Sequence, residues 1–231
     1  YLKKNRPDLD VRVFLEFVDK KFNIIENTDQ IITTGYDGTK FDLFISLDTA
    51  SLDRLGLNLP FYENAKRTAC IDHHASNDGY ADYNYILPKA SSASEVLYDL
   101  LDEELIDKSI AEPMYMGIAH DSGVFRFQST TPKTMRIAAN MIEKGVNVNM
   151  ILEETFFRKT YNQMMVTAKI QSEAVLALDG KCIYGYCTSE MMEEYGVTTK
   201  DLDAVVASIR NVDGVEVAMF LYQLSEDSYK V

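Results

Sequence analysis

The chain has 231 residues, 46% of them hydrophobic, and a formal net charge of −13. It is long enough for one large or two small domains with a buried core, and it lacks the overall basic charge that binding to long nucleic acids requires. No apolar run approaches the roughly 20 residues that span a bilayer, and no signal peptide is indicated. Three cysteines, an odd number, argue against a disulfide framework and favour the reducing cytoplasm.

Short apolar segments in the first half of the chain predict buried strands. They lie at residues 11–14, at residues 41–48 (FDLFISLD) and in the segment ACIDHH, residues 69–74. Helical patterns separate and follow these segments. Alternation of strands and helices predicts an α/β fold with a mostly parallel sheet.

Three helix starts are readable in the same half. Ser92 followed by Glu95 is a capping-box signature, Pro113 suits the first turn of the next helix, and Thr131 with Pro132 begins another. The last of these helices is expected to end at Gly145, and its predicted apolar face consists of Met135, Ala138, Ala139 and Ile142.

After residue 148 the pattern changes. Residues 151–178 predict one long helix, and a strand, two helices and a second strand follow. We therefore predict a first domain at 1–157, a linker helix at 158–178 and the start of a smaller, incomplete α/β substrate-binding domain at 179–231. The chain begins like the tail of a helix (YLKKNRPD) and stops as a strand begins, so we expect a fragment or a partly ordered chain.

Acidic residues and histidines follow the predicted strands. Asp48 ends one strand, the triplet DHH at 72–74 ends the next, and the pair HD at 120–121 precedes a Ser-Gly turn. Ligands of an open parallel sheet gather at the carboxyl ends of its strands, so we expect these groups to converge.

Carboxylates with an imidazole suit Mn²⁺ or Mg²⁺ better than a structural zinc ion, which usually takes cysteines. Two such ions about 3.5–4 Å apart can share a carboxylate, activate water and clamp a phosphoryl group. Each piece alone is weak evidence, because an aspartate after a strand is more often a turn former or a helix cap. The joint pattern is what favours a metal centre over a set of solvated acids.

The segment IDHH, with SLDTASLDRLG upstream and GIAHDSGVFRFQSTTPKT downstream, resembles the DHH phosphoesterase superfamily. More narrowly, it is similar to the bacterial oligoribonuclease (nanoRNase) group that also dephosphorylates 3′-phosphoadenosine 5′-phosphate (PAP). The second unit is similar to the start of the associated DHHA1 domain. The resemblance implies a phosphoesterase with two Mn²⁺ (or Mg²⁺) ions that hydrolyses short oligoribonucleotides, PAP or both.

The resemblance also implies a role for each residue of the cluster. Asp48 matches the aspartate that bridges both metals, and His73 and Asp121 match further metal ligands. His74 matches the histidine that faces the substrate phosphate. Asp72 would orient its neighbours or contact metal directly.

Two further residues are candidates for substrate contact. Arg126 is one, although a salt bridge is the simpler role for an arginine. His120 stands where relatives often have a small hydroxyl residue, so it could touch the substrate but does not match a ligand of the family.

Two motifs of the family are missing. Relatives begin with a His followed by Asp-x-Asp, which supplies further metal ligands, and nothing before Asp48 fits it. Asp8 and Asp10 have the spacing, but no histidine precedes them. The glycine-rich GGGH loop of the second domain is also absent.

These absences leave other functions open. One is a non-catalytic nucleotide-binding module with an incomplete metal centre. Others are a cyclic-dinucleotide phosphodiesterase or an inorganic pyrophosphatase of the same superfamily. The expected partners are short RNA or small nucleotide phosphates, not long duplexes or membranes, and a homodimer is among the expected states.

Overall fold

The computed structural model of the protein describes residues 1–202 and 205–231. The chain forms two compact units, Tyr1–Phe157 and Arg158–Val231. Both are mixtures of helices and strands, so the predicted α/β class is confirmed. None of the described helices is both long and apolar enough to cross a membrane.

The first unit contains a parallel three-stranded sheet in the order β1-β2-β3. Its strands are β1 (Phe44–Leu47), β2 (Thr68–Asp72) and β3 (Tyr83–Ile86). In the pairing of β1 with β2, Leu47 lies opposite Ile71, so the two strands end side by side. The sequence did not predict β3, because three of its four residues are exposed and its apolar signal is therefore weak.

Helices form the remainder of the first unit. They are α1 (Leu2–Asn5), α2 (Leu59–Asn64), α3 (Ala93–Tyr98), α4 (Lys108–Asp121), α5 (Pro132–Glu143) and α6 (Val148–Leu152). The largest buried apolar cluster lies mainly on α4 and α5 and includes Ile118, which is fully buried, and Met141. This packing holds the carboxyl end of α4, and with it Asp121, in a fixed position.

Two of the predicted helix starts are confirmed and one is wrong. Ser92 accepts a hydrogen bond from the backbone N–H of Glu95, and Thr131 and Thr134 form a reciprocal capping box at the start of α5. Pro113, in contrast, lies inside α4, because this helix already begins after Asp107, whose carboxylate caps it.

The predicted apolar face of α5 is also wrong. Met135 and Ile142 are 51% and 47% exposed, whereas the buried face lies one position earlier. It consists of Thr134, Ile137, Ala138 and Met141. The helix turns this way because the Thr134 hydroxyl donates a hydrogen bond to the buried carboxylate of Glu95, 2.7 Å away.

The predicted strand at residues 11–14 is not formed. That segment makes only an isolated parallel bridge between Phe14 and Ile32, and Val13 beside it is 46% exposed. A single bridge with a half-exposed neighbour is not the buried strand that the apolar run predicts.

The second unit has a four-stranded sheet in the order β4-β5-β6-β7, in which only β5 and β6 are parallel. Its strands are β4 (Val175–Ala177), β5 (Cys182–Cys187), β6 (Val217–Ser225) and β7 (Ser228–Lys230), and its helices are α7 (Tyr161–Glu173), α8 (Ser189–Tyr195) and α9 (Val205–Arg210). The predicted helix at 199–212 includes residues 203 and 204, which lie outside the described residues.

The prediction of one long helix over residues 151–178 is wrong. A π-helical turn, Glu153–Phe157, follows α6, and a new capping box of Thr160 with Gln163 starts α7. The helix ends at Glu173, and β4 pairs with β5 immediately afterwards. Helical propensity alone did not reveal this break, because the capping signal lies inside a continuous helical pattern.

Glu95 is a buried polar anchor of the first unit. Its side chain is almost fully enclosed at 2% exposure. One carboxylate oxygen accepts hydrogen bonds from the Ser91 backbone N–H (3.2 Å), the Ser91 hydroxyl (2.6 Å) and the Thr134 hydroxyl (2.7 Å). The loop before α3 and the first turn of α5 are therefore joined through one carboxylate.

We expect Glu95→Ala to lower the free energy of unfolding by about 2–4 kcal/mol, because it leaves three buried donors without an acceptor. Chemical denaturation followed by circular dichroism measures this. The exposed Glu143 on α5 is a matched control, and Glu143→Ala should change stability by less than about 0.5 kcal/mol. Equal losses in the two variants would contradict the anchoring role.

Candidate metal centre

The parallel pairing of β1 and β2 brings Asp48 beside the DHH triplet. Asp48 directly follows β1, and its backbone N–H donates to the Ile71 carbonyl over 3.1 Å. Its φ of 57° lies in the left-handed region, which few residues other than glycine adopt and which aspartate tolerates better than most. This turn points the carboxylate towards His73.

His73 lies between two carboxylates. Its Nε2 is 3.3 Å from Asp48 Oδ1 and 3.7 Å from Asp121 Oδ2. On the other side of the ring, Nδ1 lies 3.3 Å from the carbonyl of Ala90. A histidine whose Nδ1–H donates to a backbone carbonyl presents Nε2 as a lone pair, as metal-ligating histidines usually do.

Asp72 is completely buried and orients its neighbours. One oxygen accepts the His73 backbone N–H and lies 2.8 Å from His74 Nδ1, and the other accepts from Asn77 Nδ2 at 2.6 Å. Burial by itself raises the pKa of Asp72, but the hydrogen bonds from Asn77, His74 and His73 outweigh it, so the pKa is lowered. Both oxygens are thus engaged with protein donors.

The described residues contain a group that could hold a metal ion: Asp48, Asp72, His73 and His74, with one ligand atom each, all within 4.8 Å of one another. Asp121, the last residue of α4, joins this group through His73. The structure therefore brings together all five residues that the sequence predicts to be metal ligands or catalytic.

The charges of the site favour a cation. Burial raises the pKa of Asp121 to about 6, and the nearby Asp48 carboxylate raises it further, while the two histidines oppose the shift. The hydrogen bond with Asp48 raises the pKa of His73 to about 8 against the effect of burial. Two carboxylates and an imidazole that attracts a proton so strongly form a donor set that fits Mn²⁺ or Mg²⁺.

Neither predicted substrate contact belongs to this group of four. His120 Nε2 lies 2.9 Å from the Thr155 hydroxyl, and its ring packs against Phe22 and Phe156. Burial, followed by the positive charge of Lys21, lowers the pKa of His120.

Arg126 is exposed. It follows three consecutive residues with positive φ, Gly123, Val124 and Phe125. The turn is held by hydrogen bonds from the backbone N–H groups of Arg126 and Phe127 to the Ser122 carbonyl.

Sequence reasoning missed two groups that hold the site in place. These are the Ala90 carbonyl behind His73 and the Asn77 amide behind Asp72. A backbone carbonyl has no sequence signal. Asn77 has one, in the segment DHHASN, but an asparagine in a loop usually indicates only a turn.

Residues 1–118 match the DHH family, N-terminal domain. This match covers more than half of the 231 residues, and the chain therefore belongs to the DHH family.

Curated relatives narrow the group. The chain is 25% identical over 218 residues to the bifunctional oligoribonuclease and PAP phosphatase NrnA of Bacillus subtilis, covering 92% of this chain and 67% of that protein. It is 26% identical to the probable NrnA of Streptococcus mutans, covering all of this chain and 72% of that protein. The Thermus thermophilus NrnA is 30% identical over 68% of this chain and 47% of that protein. The resemblance to the oligoribonuclease group is confirmed.

A solved structure shows the same fold. The chain is similar to an exopolyphosphatase-related protein from Bacteroides fragilis with a TM-score of 0.84, at 18% identity, covering 96% of this chain and 69% of that one.

In the metal-free protein we expect His73 to titrate near pH 8. Because this pKa is raised above the ordinary 6.5, protonation of His73 stabilises the folded protein below pH 6.5, and this contribution is lost as the pH rises through 8. Asp48→Asn should return the pKa towards 6.5, because it removes the largest cause of the shift.

The measurement is an NMR titration of the ring protons, which three histidines make simple to assign. His120 is the internal control, since its environment is remote from Asp48 in contacts and it should not respond to Asp48→Asn. A His73 pKa that stays the same in the variant would contradict the contact with Asp48.

Proposed function

We propose that the chain is a metal-dependent phosphoesterase that hydrolyses short oligoribonucleotides and PAP. The observation on which this rests is the convergence of Asp48, His73 and Asp121 at the end of a parallel sheet. The names of the B. subtilis and S. mutans relatives, which combine oligoribonuclease and PAP phosphatase activities, support the choice of substrate.

Asp48, His73 and Asp121 are the residues that would hold Mn²⁺ or Mg²⁺, with Asp48 as the bridging carboxylate if two ions bind. A bound ion supplies Lewis acidity to a phosphoryl oxygen and lowers the pKa of water. His73 serves this role through Nε2, because its Nδ1 faces the Ala90 carbonyl.

His74 is the proposed catalytic histidine. The buried carboxylate of Asp72 holds its Nδ1 at 2.8 Å, which fixes the ring and leaves Nε2 for the substrate. The His74 side chain is 36% exposed, so a phosphate can reach it. There it can donate a hydrogen bond to a phosphate oxygen or a proton to the leaving oxygen. Asp72 acts by orienting His74.

The remaining contacts would select the substrate. Arg126 is exposed beside the carboxyl end of α4 and can meet a phosphate or a base, and we retain His120 as a second candidate near it. A net charge of −13 disfavours long polyanions, so affinity would come from a few specific contacts with a short ligand. A cytoplasmic location and a homodimer stay predictions.

We expect Asp48→Ala in the full-length protein to lower kcat/KM for a diribonucleotide by roughly 10³-fold or more, about 4 kcal/mol of transition-state stabilisation. The loss follows because the variant lacks the carboxylate that lies closest to His73. Release of mononucleotides with saturating Mn²⁺ measures it, and the same variants are tested for release of phosphate from PAP.

Asp42→Ala is the matched control. Asp42 also lies near β1, but its side chain is 88% exposed and pairs with Lys66, so its removal should leave kcat/KM unchanged within about twofold. Undiminished cleavage by Asp48→Ala would refute the proposed centre. A wild-type protein that binds nucleotide but cleaves neither substrate would favour the non-catalytic alternative.

A further inference from the structure

Asn77 joins the two chain segments that form the candidate centre. The side chain is nearly buried, at 9% exposure. Its Nδ2 lies 2.6 Å from Asp72 Oδ2, 3.2 Å from the Thr49 carbonyl and 3.4 Å from Cys70 Sγ. One amide group therefore contacts the residue after Asp48 and the first residue of the DHH triplet.

An amide is well suited to this position. The Asp72 carboxylate and the Thr49 carbonyl are both acceptors, and the NH₂ group of asparagine has two hydrogens to donate. Its Oδ1 accepts the Gly79 backbone N–H at 2.9 Å, which forms a local turn and fixes the orientation of the amide. An aspartate would keep the turn but would have no donor for either acceptor.

The two bonds of Asn77 differ in how replaceable they are. The Tyr80 hydroxyl lies 2.9 Å from the same Thr49 carbonyl, so this carbonyl keeps a partner without Asn77. Among the hydrogen bonds of the described residues, Asp72 Oδ2 has Asn77 as its partner, whereas Oδ1 is held by His73 and His74. The Asp72 carboxylate, and through it His74, depends most on Asn77.

We propose that Asn77 is a positioning residue of the phosphoesterase centre: by donating to Asp72 and to the Thr49 carbonyl, it holds the carboxylate that orients His74 and the turn that presents Asp48. This inference rests on the proposed function. It predicts that loss of the donor weakens metal binding and turnover even where the local turn and the fold are kept.

The test compares Asn77→Ala, which removes donor and acceptor, with Asn77→Asp, which keeps the shape and the acceptor for Gly79. We expect both variants of the full-length protein to bind Mn²⁺ about 10–100-fold more weakly, as loss of groups that orient metal ligands usually causes. At saturating Mn²⁺, kcat for a diribonucleotide should fall by about the same factor with a smaller change in KM.

Asn84→Ala is the control, because Asn84 is an exposed asparagine that likewise bonds its own turn, through Ala81. Thermal melts of every variant establish the temperature at which all are folded, and the measurements are made there. Asn77→Asp with wild-type Mn²⁺ affinity and kcat would overturn the proposal. A loss confined to the melting temperature would also overturn it, since that is all a purely structural turn residue would show.

Failure of the proposed function gives a different result. If the wild-type protein neither binds Mn²⁺ nor cleaves the diribonucleotide, the ¹⁵N chemical shifts of His74 still test Asn77. The wild-type His74 should be the Nδ1–H tautomer that donates to Asp72. A shift from this tautomer in Asn77→Asp supports the positioning role, and an unchanged spectrum contradicts it.

Discussion

Parallel pairing between β1 and β2 is the constraint on which the candidate centre depends. It places Leu47 opposite Ile71, so that Asp48 and the DHH triplet leave the sheet at the same edge. A slip of one residue would turn every side chain of β1 to the other face and would remove the Asp48 carboxylate from His73. The register of two short strands thus decides whether a cation site exists.

The buried carboxylate of Asp72 is the second element of this arrangement. A charge enclosed in protein is costly unless hydrogen bonds satisfy it, and here the donors are the groups that need orientation or provide it: His73, His74 and Asn77. The same bonds that stabilise the anion fix the ring of His74. Stability and function are therefore coupled at this position, in contrast to Glu95, whose bonds join helices.

Local chemistry made much of the site readable from the sequence. Asp48 and the DHH triplet follow apolar runs, and the convergence of strand ends in a parallel sheet follows from general geometry. The capping of α5 by Thr131 is equally local. The orientation of that helix was not readable, because it depends on the Glu95 carboxylate about forty residues earlier in the chain. The break before α7 was hidden within a continuous helical pattern, and Asn77 looked like an ordinary turn residue.

The central claim is that Asp48, His73 and Asp121 grip a cation together. Anomalous diffraction at the manganese edge, from crystals of the full-length protein grown with Mn²⁺, tests it most directly. The account predicts a peak within about 2.5 Å of His73 Nε2 and of both carboxylates. A Mn²⁺ ion bound elsewhere, with these three side chains unliganded at a concentration that saturates activity, would contradict it.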